Sequence, residues 1–199
     1  LFKGVRHIVQ AEANDFMLGQ DFQNGISKLS SFNLTYDILV FPPQLEAAIT
    51  LVNKFPNQKF VVDHLAKPYI KAGKINAWKT KINELKENNI GVILRRVHSL
   101  PVRPDDDPYY PYKLPSILQK AGVLYCLGTA GDMEAMNSRN LPFLAGEAVG
   151  FGLTKEEAVQ CITLNAAKIL GIDEDLGTLQ SGKQATFFVS QGDALDMRT

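Results

Sequence analysis

Cysteine is scarce in this 199-residue sequence, with two in all, and tryptophan occurs once. Two cysteines cannot build the dense disulfide framework of a small secreted domain. Both stand in apolar periodic stretches, VLYCLG around Cys126 and AVQCITL around Cys161, where a cysteine serves as a small buried hydrophobe. Net charge is absent too, since 21 basic and 21 acidic side chains balance. A chain without excess positive charge has no field to gather nucleic acid or an anionic membrane, so neither is expected as a partner. No apolar run approaches the roughly 20 residues that cross a bilayer, and the opening LFKGVRHIVQ lacks the regions of a secretory signal. A soluble, cytoplasmic protein is the expectation. The start at Leu1 rather than methionine suggests that an upstream segment was removed or left out.

Hydrophobic residues make up 45% of the chain, enough for the core of a single domain of this length. Short β-branched or apolar runs alternate with segments of helical period, the pattern of parallel strands joined by crossover helices. Strands are expected at Val5–Gln10, Tyr36–Phe41, Lys59–His64, Gly91–His98 and Val123–Leu127, with a detached one at Thr186–Ser190. Helices are expected over Phe22–Ser31, Gln44–Lys54, Ile75–Glu87, Leu114–Lys120, Pro142–Gly150 and Thr154–Leu170. In the first of these, Ile26 and Leu29, with Phe32 beyond it, would form the apolar stripe. The last helix opens with Thr154 and Glu157 in capping-box spacing and ends at Gly171. The fold class is α/β with repeated βα units, read as a partial or rearranged (β/α) barrel. An open flavodoxin-like parallel sheet also fits the strand count.

Loops after the carboxyl ends of parallel strands lie on one side of the sheet, so polar residues there converge. Four expected strands carry such groups: His7 and Gln10, Asp63 and His64, His98, and Asp132 in the loop after the fifth. All three histidines of the chain are among them. Neutral imidazoles and carboxylates are what a divalent zinc or manganese ion needs, and a metal-bound water of lowered pKa is a nucleophile near neutral pH. That points to hydrolysis, with His64, His98 and His7 as metal ligands and Asp132 taking the proton. The plainer reading is that each histidine bonds to backbone or stacks in a core, and that the aspartates cap helices. Asp105 to Tyr112 is read as a solvated loop in preference to a substrate mouth. Glu156 and Glu157 are explained by the helix dipole. Gly128–Asp132 has neither P-loop lysine nor G-x-G-x-x-G spacing.

The segments GVRHIVQ at 4–10, YDILVFPPQLEAAITLVNKFPNQKF at 36–60 and VVDHLAKP at 61–68 resemble the fuconolactonase-like, lactonase branch of the amidohydrolase superfamily. The resemblance implies that His64 belongs to an active site at a barrel-strand end, with Arg6 and His7 near the lactone. Gln10, Asp63 and Lys67 join Arg6 as expected substrate-binding residues. From Gly91 onward, VILRRVHSLP, RNLPFLAGEAVGFGLTKEEAVQCITLNAAKILGI and LGTLQSGKQATFFVS resemble the imidazolonepropionase-like branch. That resemblance implies that Asp132 is a metal ligand and proton shuttle, and that residues 171–199 begin a small β-sandwich. The sequence departs from the family at Thr186, where an aspartate is usual, and at GTAGD. A chain that begins like one branch and ends like another, with a seam near 88–92, reads as a chimera of two barrel fragments.

The expected function is hydrolysis of a lactone or cyclic amide with a divalent metal. The H-x-H pair of the superfamily's first strand does not occur in this sequence. A recombined or engineered scaffold without catalysis is therefore the main alternative, and a small phosphate or nucleotide binder the lesser one. A small-molecule substrate is the expected partner, and exposed sheet edges would favour homo-oligomers.

Overall fold

The computed structural model describes residues 3–63, 80, 83–84, 86–87, 90–95, 97–98, 107–129 and 135–198. The chain divides into two compact units, Leu1–Ile93 and Leu94–Thr199. The expected helix over 75–87 falls largely outside the described residues, as do His64, Lys67 and Asp132.

In the first unit β1 (Gly4–His7), β2 (Thr35–Ile38) and β3 (Phe60–Asp63) lie side by side and parallel, with β4 (Gly91–Arg95) next to β3. Among the described residues the strands of this unit follow one another in chain order, and β1 has only β2 beside it. A flavodoxin-like sheet places its first strand inside the sheet, between the second and the third. The observed order is instead that of successive βα units in a (β/α) barrel. Gly4 is needed where β1 meets β2, because a Cβ there would lie 2.8 Å from the Thr35 carbonyl oxygen.

Between the strands run α1 (Gln20–Leu29) and α2 (Leu45–Lys54). α2 buries Leu45, Ala48, Ile49 and Val52, as their spacing predicts, and Ala47 and Leu51 besides. α1 buries Ile26, but Phe32 is 71% exposed. The helix stops at Leu29 and the chain leaves through Asn33 in the left-handed region, so Phe32 never joins the stripe. β1 is shorter than expected: past His7 the chain turns through a 3-10 segment at Val9–Ala11. That turn is fixed by buried Gln44, whose amide donates to the carbonyls of Val9 at 2.7 Å and Glu12 at 3.1 Å. Its carbonyl oxygen accepts from the Phe41 N–H at 2.9 Å. One side chain thus ties the loop after β1 to the loop after β2 and satisfies groups whose burial unpaired would be costly.

β4 runs past the unit boundary to Arg95. The second unit holds β5 (Tyr125–Gly128) and the helices α3 (Tyr110–Ala121), α4 (Leu141–Gly150), α5 (Lys155–Ile162) and α6 (Leu164–Leu170). α3 starts four residues before the expected Leu114, because Pro111 suits a first helical turn, where its missing N–H goes unused. The single helix expected over 154–170 is two, broken at Thr163 with φ −126° and ψ −93°. Its start is as expected: the Thr154 N–H donates to Glu157 at 2.8 Å and the Glu157 N–H to the Thr154 hydroxyl at 3.2 Å. Gly171 ends the second of them in the left-handed region. Cys126 and Cys161 are both buried and free.

The expected strand at Thr186–Ser190 does not form. Among the described residues the segment has no strand beside it, and Phe187, Phe188 and Val189 are exposed. Beyond it the chain is held again, by Lys155 on Asp193 at 2.6 Å and by Leu195, which lies so close over α4 that a Cβ on Gly146 would overlap its carbonyl. Among the described residues there are five strands, fewer than the eight that close a barrel, and no helix is long and apolar enough to cross a membrane.

Candidate functional site

Side chains alternate across a strand, so the register assigns each residue of the first unit to a face. Arg6 pairs with Asp37, Asp37 with Val61, and Asp63 lies two residues beyond Val61. Arg6, Asp37 and Asp63 therefore share one face, toward the carboxyl ends of three adjacent strands. The Arg6 Nε donates to Asp37 Oδ2 at 2.6 Å, and its Nη2 donates both to that oxygen and to Asp63 Oδ2, the latter at 2.8 Å. Arg6 remains 41% exposed, while the Asp63 side chain is 5% exposed. Its third nitrogen, Nη1, has no hydrogen bond among the described residues. Burial raises the pKa of Asp37 despite the guanidinium beside it.

The other face is aromatic. His7 stacks on Phe16 with ring centroids 5.3 Å apart, Phe16 meets Phe22 of α1 edge-on, Phe22 meets Tyr36, and Tyr36 meets Phe60. The His7 Nε2 lies 3.1 Å from Glu12. Although His7 follows Arg6 directly, the pleat turns it away from Asp37 and Asp63, so the two neighbours do not share a site. Gln10, in the turn after β1, donates to the Val40 carbonyl at 3.4 Å.

In the second unit His98 lies three residues past the end of β4 rather than on it. Its Nδ1 is 3.0 and 3.2 Å from the two oxygens of Glu147 on α4, and its ring meets Tyr112 edge-on at 5.6 Å. The pair borders a cavity of about 880 Å³ with Phe143 and Leu144, rimmed by Lys155 and Asp193.

Among the described residues no three His, Cys, Asp or Glu side chains are grouped so as to hold a metal ion. Asp37 and Asp63 enclose a guanidinium, whose positive charge repels a divalent cation from the same oxygens. The expected ligand His64 and proton shuttle Asp132 lie outside the described residues. Asp37 was not among the expected site residues. Its signal was present: a charged side chain inside the otherwise apolar strand run YDILVF.

A family model described as amidohydrolase matches residues 1–110, more than half of the chain. The chain belongs to the amidohydrolase family. The match extends past residues 88–92, where the resemblance seen in the sequence changes branch. An L-fucono-1,5-lactonase from Burkholderia ambifaria is 32% identical over 85 residues, 42% of this amidohydrolase chain and 29% of the lactonase. An imidazolonepropionase from Shewanella frigidimarina is 60% identical over 37 residues, 19% of this chain and 9% of that protein. The chain thus spans less than a third of either curated relative.

Among solved structures, an amidohydrolase from Burkholderia multivorans with bound zinc superposes with a TM-score of 0.65 at 20% identity, covering 85% of this chain and 64% of its own. An amidohydrolase from Thermotoga maritima gives 0.63 at 22% identity, covering 86% and 42%. At such identities the likeness establishes the α/β fold of the family.

Proposed function

We propose that this chain carries the lactone-binding part of an amidohydrolase that opens a lactone ring with water. Water adds to the ring carbonyl, the acyl C–O bond breaks, and a hydroxy acid leaves. The observation that carries the reading is the outer edge of Arg6, held at the carboxyl ends of β1, β2 and β3 with Nη1 unengaged among the described residues. A guanidinium N–H donates well to a carbonyl oxygen and better to the oxyanion that develops as water adds, so such a donor aids the transition state more than the ground state. The likeness to the lactonase, which runs over 85 residues against 37 for the imidazolonepropionase, supports a lactone over a cyclic amide.

Lactone opening releases acid, which a pH indicator follows. Five- and six-membered sugar lactones are expected to be hydrolysed by the protein. Arg6→Ala should lower kcat/KM roughly 10- to 100-fold, the value of one charged hydrogen bond. Turnover in Arg6→Ala equal to that of the unaltered protein would overturn the reading. Zinc, the ion named with the Burkholderia multivorans structure, or manganese is the metal to look for, with His64 as its first ligand. Elemental analysis of purified protein should then find bound metal that His64→Ala loses, and metal content unchanged by that substitution would remove His64 from the role.

A further inference from the structure

Arg6 can serve a substrate only if its long side chain is held in one orientation, and the structure shows what holds it. An arginine free to rotate carries rotamer entropy that would be lost at each binding event. Here the guanidinium plane is fixed from two strands. Asp37, directly across from Arg6 in the register, takes both Nε and Nη2 on one oxygen, and Asp63 on β3 takes Nη2 again. Because the guanidinium is planar, fixing Nε and Nη2 also fixes the direction in which Nη1 points.

The arrangement is costly for the fold. Asp37 is largely buried, and its Oδ1 is a buried atom with no hydrogen bond among the described residues. Burial disfavours the charge there, as the raised pKa indicates. A side chain kept only for packing would not need a carboxylate in such a place.

We propose that Asp37, with Asp63, is a positioning residue: the two carboxylates form a cradle that sets the Arg6 guanidinium with its Nη1 edge toward the substrate carbonyl. The inference rests on the lactone reading for what Arg6 touches. It makes Asp37 a determinant of turnover without placing it on the substrate.

If the carboxylates form a cradle, it should accept a free guanidinium once the arginine side chain is removed. Arg6→Ala is titrated with methylguanidinium, following lactone turnover and, separately, the NMR shifts of methylguanidinium itself. The expected result is saturable binding in the millimolar range and recovery of turnover by tenfold or more. Both effects should fall at least tenfold in Arg6→Ala/Asp37→Asn, and in Arg6→Ala/Asp63→Asn should Asp37→Asn fail to fold as judged by its melting curve. In the otherwise unaltered protein Asp37→Asn should lower kcat more than it raises KM, with Asp37→Glu restoring part of the loss. Binding and rescue of equal size with and without the carboxylates would overturn the cradle, as would no binding to Arg6→Ala at all. Full turnover in Arg6→Ala would instead overturn the lactone reading, while the binding measurement would still decide the cradle.

Discussion

The two faces of the first unit's sheet are built from adjacent residues with opposite tasks. One face carries Arg6, Asp37 and Asp63, joined by charge-assisted hydrogen bonds at the strand ends. The other carries His7, Tyr36 and Phe60, joined through Phe16 and Phe22 into a row of rings. The pleat alone separates them, since Arg6 and His7 are consecutive and so are Tyr36 and Asp37. Proximity in the sequence therefore misleads at this site: an arginine and a histidine that read as a pair belong to different sides of the sheet.

The contrast can be broken most severely from the aromatic side. Tyr36 is 3% exposed and touches rings on both sides of it, so Tyr36→Ala should cost about 3–5 kcal/mol in urea unfolding. An effect below about 1 kcal/mol would mean that the rings do not carry the packing of that face. The second test sets the neighbours against each other. Arg6→Ala should lose turnover and also lower the unfolding midpoint, because it leaves the buried carboxylates of Asp37 and Asp63 without their counter-charge. His7→Ala should lose the Phe16 stack while keeping lactone turnover within about twofold, and a large loss of turnover in His7→Ala would bring His7 back to the reacting centre.

The smallest expected effect is a titration. Burial pushes the Tyr36 hydroxyl up to about 12 from its ordinary 10. The unfolded chain releases that proton first, so the contribution of Tyr36 is intact below pH 10 and declines as pH rises toward 12. Tyr36→Phe removes this group, and its stability should fall less steeply over that interval. Cys126, also pushed up to about 12 by burial, adds to the alkaline decline in both proteins, so the comparison is of slopes.

The repeated βα order was legible because it rests on hydrophobic period. α2 buries the four residues its spacing names, and the Thr154 capping box forms as written. Strand ends were less legible. The runs at Val5–Gln10 and Gly91–His98 still carry β-branched residues, Ile8, Val9 and Val97, beyond the strand ends at His7 and Arg95. His98 thus lies off its strand, beside Glu147, a partner 49 residues away that no local pattern names. Thr186–Ser190 has strand composition, but a strand also requires a neighbour to pair with. Asp37 was hidden by the opposite effect: its place in an apolar run is explained only once Arg6 is known to lie across from it.

Both cysteines belong to the unit formed by Leu94–Thr199, and both are buried with thiols pushed up in pKa. A thiol reagent can reach them only during openings of that unit, because the reactive thiolate is suppressed while they stay inside. The rate of alkylation is therefore a clock set on one half of the molecule, and it would time the opening of that half with no label added and without a signal from the half that holds Arg6.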